Sequence, residues 1–302
     1  MAVSASAFFH PWAAADMTPQ LPNIIADVAE PGKHPDGTPY SRISLENTVK
    51  IAEQLQLPRR DIEITALAHN VFPERYIRNM HSLSAEDQIK LLQSHVAIVG
   101  LGGLGGTVAE ALARIGVGTM TLIDGDVFEE SNLNRQILSD ENNLGCSKAD
   151  SAAQRIQDIN PSITTCPHSK YLDAGNAVDL LTGADVAIDC LDTIAARFLL
   201  ETASKSLKIP LVSAAVGGFA GQLTTIFPED KGLELVYGPA QSVFSARGAE
   251  IRLGNLAFTV STLASLEAAE VSHILLRKDS ELRNHLLIID LLDYSFERIR
   301  LI

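Results

Sequence analysis

A doubly wound α/β fold on a mixed, Rossmann-like sheet is what this sequence predicts, and three observations carry the prediction. From Ser94 onward, short apolar runs that end on glycine or aspartate alternate with helical segments. A glycine-rich turn joins the first of these runs to the first of these helices. The chain then closes on two apolar runs joined by a short polar turn, the pattern of antiparallel strands.

Residues 1–73 read as an N-terminal extension, partly disordered and then helical. Met1 to Trp12 is mildly apolar, lacks a basic n-region and is broken by His10 and Pro11. It therefore reads as a poorly ordered start rather than a secretory signal. Pro31 to Pro39 carries three prolines and two glycines and reads as loop. Ser44 is placed to cap a helix running to about Leu57, before Pro58, and a second helix is expected from Ile62 to His69. No function follows from these segments.

Residues 74–302 hold the main domain. His95 to Val99 is an apolar run ending at Gly100, as a buried parallel strand should be. A helix over Thr107–Ile115 and a strand over Thr119–Ile123 follow, the strand ending at Asp124. Lys148 to Ile159 is helical and stops at Asn160-Pro161. Val186 to Ile188 is a strand ending at Asp189, followed by a helix from about Ala195 to Ser206 and a strand over Pro210–Ala214. Gln222 to Phe227 reads as a strand and Asn255 to Leu276 holds a long helix. Leu286–Leu291 and Phe296–Leu301 form a C-terminal hairpin. The helices are expected on both faces of the sheet.

Composition narrows the function classes. Apolar residues make up 46% and charged residues 20% of 302, ordinary for a soluble chain, and the longest apolar runs are too short to span a bilayer, so no membrane partner is expected. The three cysteines, Cys146, Cys166 and Cys190, form no C-x-x-C pair. A disulfide framework and a structural zinc site are therefore not expected, and a reducing cytoplasm is. A net charge of −13 disfavours nonspecific nucleic-acid binding, so no nucleic acid is expected as a partner. An anionic ligand would need a few placed cations to overcome that field locally.

Gly100-Leu101-Gly102-Gly103-Leu104-Gly105 fits G-x-G-x-x-G between a strand and a helix, the context that gives the motif meaning. Gly100 allows the tight turn, Gly102 lets the backbone approach a phosphate or ribose, and Gly105 lets the helix pack on the strand. The helix N-terminus offers unpaired N–H groups to an anion. Asp124 stands where a ribose-binding acid is expected. This pair of features suits ATP and a nicotinamide dinucleotide equally.

The stretch from Asp124 to Gln136 separates them. Beyond Asp124 and Asp126 it places Ser131, Asn132, Asn134, Arg135 and Gln136, with Lys148 opening the next helix. A hydride-transfer domain has no need of these groups. Asn132 and Arg135, spaced i, i+3, share one face of a helical turn. Arg135 and Lys148 supply two cations for a triphosphate. A lysine at a helix start opposes the helix dipole, so its presence asks for a reason. Asp192 lies past a strand end, at the rim where ligands bind in such sheets, and suits Mg²⁺, although an aspartate there is also a common turn or cap residue. Both Arg135 and Lys148 are expected to be exposed in a cleft.

These residues resemble the superfamily of ubiquitin-activating-type adenylyltransferases, most closely its MoeB, ThiF and HesA group. The matching strings are Arg75-Tyr76-Ile77-Arg78-Asn79, the glycine turn, Asp124-Gly125-Asp126, Ser131-Asn132-Leu133-Asn134-Arg135-Gln136, Lys148, Asn160-Pro161, Asp189-Cys190-Leu191-Asp192, Pro210 to Ala215 and Gly221-Gln222. The resemblance implies that Asp124 binds the ATP ribose and that Asn132, Arg135 and Lys148 hold the phosphates. Asp192 would hold Mg²⁺. Arg78 would reach the triphosphate of a second copy in a homodimer. It further implies a small ubiquitin-like carrier protein ending in Gly-Gly as partner, adenylated at its terminal glycine, as sulfur carriers of the ThiS and MoaD type are.

The chain departs from the family in three places. Relatives bind zinc through two C-x-x-C pairs, which would fall near Gly232 to Gly238 and after Ile302; neither is present, and no zinc is expected. Pro228 to Gly254 has no cysteine to act as a thioester or persulfide carrier. The family's Thr-Asp-Asn is Leu191-Asp192-Thr193 here, which keeps the aspartate and puts Thr193 in place of an amide. Competing readings are an adenylating enzyme acting on tRNA, an inactive scaffold and, more distantly, a nicotinamide oxidoreductase. Retention of Arg78, Arg135, Lys148 and Asp192 favours an active adenylyltransferase.

Overall fold

The computed structural model describes residues 20–243, 250–276 and 280–302. The reading of Met1 to Trp12 lies outside these residues, as does part of the cysteine-free stretch Pro228 to Gly254. The chain divides into two compact units that meet in sequence between Glu86 and Asp87.

The first unit contains α1 (Leu21–Val28), β1 (Glu30–Lys33), β2 (Pro39–Ile43), α2 (Leu45–Leu55), α3 (Arg59–Ala68) and β3 (Val71–Pro73). Ser44 caps α2 as its sequence position predicts, with the Asn47 N–H donating to its Oγ at 3.2 Å. The expected loop over Pro31–Pro39 is instead a hairpin, with β1 and β2 antiparallel and β3 added parallel to β2. Both flanking prolines occupy places a sheet tolerates. Pro31 lies on the outer strand and Pro39 is the first residue of its own. Gly37 takes a φ of 88° at the turn, and Asp36 Oδ1 accepts the Thr38 N–H at 2.9 Å. Leu21, Ile25, Ile43, Ile51, Ile62 and Val71 form the unit's core. A 3₁₀ turn over Glu74–Asn79 follows, carrying Arg78 exposed.

The second unit is built on an eight-stranded sheet. Its elements run α4 (Ala85–Gln93), β4 (His95–Val99), α5 (Gly103–Ile115), β5 (Thr119–Ile123), α6 (Lys148–Ile159), β6 (Thr164–His168), α7 (Ala177–Leu181), β7 (Val186–Asp189), α8 (Ile194–Leu207), β8 (Leu211–Gly217) and β9 (Ala220–Ile226). Single turns α9 (Glu234–Tyr237), α10 (Ala240–Val243) and α11 (Glu250–Leu253) precede α12 (Ala257–Leu275), β10 (His285–Asp290) and β11 (Ser295–Arg300). The strand order is β11-β10-β9-β8-β7-β4-β5-β6. The five strands from β8 to β6 pair parallel, and β8 to β11 pair antiparallel. β4 therefore has β5 on one side and β7 on the other, so the order reverses at its C-terminal end.

Strand residues alternate between faces. Ala97 and Val99 of β4 pack with Leu181 of α7 and Leu200 of α8, while α5 packs on both α6 and α12. β6 was not evident in the sequence, because Thr164-Thr165-Cys166-Pro167-His168 is short, polar and holds a proline. It forms at the sheet edge, where a missing N–H costs nothing. α5 starts at Gly103, four residues before the expected Thr107, because close packing on β4 overrides the low helix propensity of glycine. No helix among the described residues is long and apolar enough to cross a membrane.

Candidate nucleotide site

The glycine turn is held by backbone contacts that leave no room for a side chain. Gly100 has a φ of 89°, and a Cβ there would lie 2.6 Å from the Cys190 carbonyl oxygen. A Cβ at Gly105 would lie 1.8 Å from the Gly100 carbonyl oxygen, so α5 approaches the end of β4 only because Gly105 is bare. Gly102 occupies the helix N-cap with no side-chain cap, leaving the first-turn N–H groups open to a ligand.

Asp124 ends β5 beside this turn. Its carboxylate accepts the Leu101 N–H at 2.6 Å and the Asp126 N–H at 2.8 Å. Burial pushes its carboxyl above the ordinary carboxylate value, against the pull of those two N–H groups and of the Lys148 charge.

A cavity of about 510 Å³ opens over the C-terminal ends of β4, β5 and β7. Gly100, Gly102, Gly103, Asp124, Asp126, Ser131, Asn132, Arg135, Gln136, Lys148 and Asp192 all line it. Residues up to 92 positions apart in sequence, from Gly100 to Asp192, are thus brought to one place. A 3₁₀ turn over Glu130–Asn132 and the turn after it, closed by the Arg135 N–H donating to the Asn132 carbonyl at 3.1 Å, bring Asn132 and Arg135 to the cavity together. Asn132 is buried, and its Oδ1 accepts the Glu129 N–H at 3.1 Å, so its side chain also shapes this turn. Arg135 is aimed by the Ser131 carbonyl and by Asn134 Oδ1, each accepting from its Nη1 at 2.8 Å.

Three expected residues occupy other places. Asn134 does not line the cavity but orients Arg135. Thr193 is the N-cap of α8, its Oγ1 accepting the Ala196 N–H at 3.4 Å. Gly105 sits behind the cavity wall at the α5–β4 contact. The expected exposure of Lys148 is also corrected. The residue is only 6% exposed, because α6 starts against the loop after β5 and the Lys148 N–H donates to the Asp126 carbonyl at 3.0 Å. Its ammonium pairs with Asp126 Oδ2 at 2.9 Å. Burial raises the Asp126 carboxyl, but hydrogen bonds from Tyr171 and Lys148 and the lysine's charge outweigh it, leaving it below the ordinary value.

Sequence reasoning missed Arg197. It is buried in α8, and its Nη1 donates to Asp189 Oδ2 at 2.8 Å and to the Ala214 carbonyl at 2.7 Å, with Nη2 donating to the Leu191 carbonyl. Ser213 Oγ donates to the same Asp189 oxygen at 2.6 Å. Arg197 thereby ties the end of β7 to β8, and like Asp192 it lines the cavity. An aspartate eight residues before an arginine was the only available signal. Glu267 of α12 is fully buried nearby and accepts the Cys190 thiol at 3.6 Å. Burial, and then the Asp189 charge, push its carboxyl well above the ordinary range. The Cys190 thiol is likewise pushed well up by loss of water and by Glu267, which makes it a poor nucleophile.

The donor set suits a nucleotide. Gln136 Oε1 and Asn255 Oδ1 are buried at the cavity wall with no hydrogen-bond partner among the described residues. Buried polar atoms are almost always satisfied, so these two are ready for a ligand. Asp192 is exposed at the rim and is a single carboxylate, which suits a cation whose remaining ligands are phosphate oxygens and water. A second cavity, of about 250 Å³, shares Asp192, Arg197, Ala215 and Val216 with the first and continues past Gly217, Ala220 and Gly221.

Comparison with known proteins agrees with this geometry. The model of the ThiF family matches residues 75–302. The chain is 33% identical to the SAMP-activating enzyme E1 of Haloferax volcanii over 75% of its own length and 84% of that protein. It is 35% identical to the adenylyltransferase and sulfurtransferase MOCS3 of Drosophila yakuba, covering 75% of this chain but only 51% of that protein. The crystal structure of E. coli MccB with ATP shares the fold, with a TM-score of 0.63 at 19% identity, over 87% of this chain and 83% of that one. The glycine turn, Asp124, Arg135 and Lys148 line one cavity at the strand ends of a doubly wound sheet, and the matched family covers all of them. The chain belongs to the ThiF family of ubiquitin-activating-type adenylyltransferases.

Proposed function

We propose that the chain adenylates the C-terminal glycine of a small ubiquitin-like carrier protein of the sulfur-carrier type, using ATP and releasing pyrophosphate. The observation that carries this reading is the gathering of Asp124, Arg135, Lys148 and Asp192 around one glycine-cradled cavity in a protein of net charge −13. Two cations and an open helix N-terminus serve a polyphosphate, and a single rim carboxylate serves its Mg²⁺.

The reaction follows from these groups. The carrier's terminal carboxylate is already ionised, so no general base is required. Its oxygen bonds to the α-phosphorus, the bond from that phosphorus to the bridging oxygen breaks, and pyrophosphate leaves with the electron pair. The barrier is set by bringing two anions together in line. Arg135 and Lys148 offset the charge that develops, and the first-turn N–H groups of α5 assist. Mg²⁺, held through Asp192, would add charge neutralisation on the phosphates. The second cavity supports a glycine tail as substrate, because its Gly217, Ala220 and Gly221 wall admits a strand without side chains up to Asp192. A homodimer, in which Arg78 of one copy serves the site of the other, is part of the same proposal.

ATP–pyrophosphate exchange with Mg²⁺ and a panel of Gly-Gly-ended carriers tests this reading. Exchange that depends on one carrier and on its terminal glycine is expected. ATP binding without exchange for any carrier would overturn the substrate and leave the tRNA and scaffold readings.

A further inference from the structure

Tyr171 follows the edge strand β6, and nothing in the sequence marks it out. Its side chain is 67% exposed and yet is tethered at two points. The ring lies against Gly125, where a Cβ would meet Cγ, Cδ1 and Cδ2 each at 2.7 Å. The hydroxyl donates to Asp126 Oδ1 at 2.6 Å, while Asp126 Oδ2 takes the Lys148 ammonium at 2.9 Å. The backbone under the ring is fixed in turn, with Asn176 Nδ2 donating to the Tyr171 carbonyl at 2.9 Å. Tyr171, Asp126 and Lys148 all line the larger cavity.

An exposed aromatic side chain loses rotamer entropy when it is held, so this arrangement needs a return. Lys148 is buried but Asp126 is half-exposed, and a half-exposed carboxylate held by one ion pair alone is free to rearrange. The phenol supplies the second anchor. With one carboxylate oxygen taken by Tyr171, Asp126 has a single rotamer and only the other oxygen faces Lys148. The ammonium then has a fixed place at the cavity wall and two remaining donors for a ligand.

We propose that Tyr171 is a positioning residue, whose hydroxyl locks Asp126 so that Lys148 is preorganised for the polyphosphate. The inference rests on the nucleotide reading above. Losing the hydroxyl lets Asp126 swing away, which frees the lysine, or turn fully onto it, which makes the carboxylate a stronger competitor for the ammonium. Either change weakens a ligand that has a polyphosphate and spares one that has none.

Calorimetric titration of wild type and Tyr171→Phe with ATP plus Mg²⁺, and separately with adenosine, tests this. The ring stays in Tyr171→Phe, so the contact with Gly125 is kept. ATP is expected to bind about tenfold more weakly to the variant, the scale of a charge-assisted hydrogen bond. Adenosine should stay within about twofold. In an Asp126→Asn background, Tyr171→Phe should add nothing, because the relay passes through that carboxylate. Equal losses for ATP and adenosine would make Tyr171 a shape-giving wall residue and overturn the proposal. So would unchanged ATP affinity, or an additive effect in the Asp126→Asn background. Failure of wild type to bind ATP would overturn the nucleotide reading itself, before any variant is compared.

Discussion

Replacing Arg197 with methionine keeps most of its volume and removes the guanidinium from the centre of a buried network. The pair it breaks is almost fully shielded, with side-chain exposures of 6% for Arg197 and 0% for Asp189. Asp189 would keep two donors, Ser213 Oγ at 2.6 Å and the Leu191 N–H at 3.1 Å, but would lose its counter-charge. The carbonyls of Ala214 and Leu191 would each lose a donor. Breaking a buried pair from one side costs about 3–5 kcal/mol, because the remaining charge is left without compensation. For a unit of this size each kcal/mol lowers Tm by roughly 2–4 °C, so a fall of roughly 6–20 °C is expected. Adding Asp189→Asn removes the stranded charge and should recover a large part of the loss. Scanning calorimetry and urea titration of the two single variants and the double variant measure all three changes. A loss under about 1 kcal/mol for Arg197→Met, or no recovery in the double variant, would show that the network does not bury charge as described.

Three further outcomes are expected. Gly105→Ala drives a Cβ to 1.8 Å from the Gly100 carbonyl oxygen, a backbone atom that cannot rotate away. It should cost about 3 kcal/mol or more, against about 1 kcal/mol for Gly145→Ala, where only a φ of 82° opposes a side chain and nothing lies within 4 Å; chemical denaturation distinguishes the two. Glu267 carries a raised carboxyl, so the native state holds its proton above the ordinary glutamate value of 4.5 while the unfolded state does not. Its contribution is complete below that value and is lost as pH rises through the native one, so Glu267→Gln should gain Tm relative to wild type as pH rises above 4.5; a difference that does not change with pH would show Glu267 ionised in the native protein. Lys148→Ala and Arg78→Ala, each expected to be inactive in exchange, should recover activity when mixed under conditions of subunit exchange, and no recovery would place Arg78 in its own subunit's site or outside it.

Most of the sheet was legible because parallel strands in this fold are continuous apolar runs, and β4 and β5 begin and end at the predicted residues. The polar elements were not. Thr164–His168 and Glu30–Lys33 become strands at sheet edges, where pairing on one side suffices and proline is tolerated, and neither has an apolar period to announce it. The glycine turn, Asp124, Arg135, Lys148 and Asp192 were singled out from type and spacing at strand and helix ends, and the structure gathers them around one cavity.

Type and spacing along the chain thus give the succession of the apolar strands and the longer helices, and the chemistry of the groups at the strand ends. Which of those groups face one another was decided only by the tertiary structure. Lys148 reads as an exposed cation at a helix start and proves to be buried and paired with Asp126. Arg197 reads as one more helix arginine and proves to brace β7 against β8. Tyr171, which nothing in the sequence marks, proves to hold the carboxylate that faces Lys148. Each of these depends on partners that different elements bring together. Local periodicity and spacing report what a residue can do, while burial and partner choice are set by packing between elements that the sequence does not order in space.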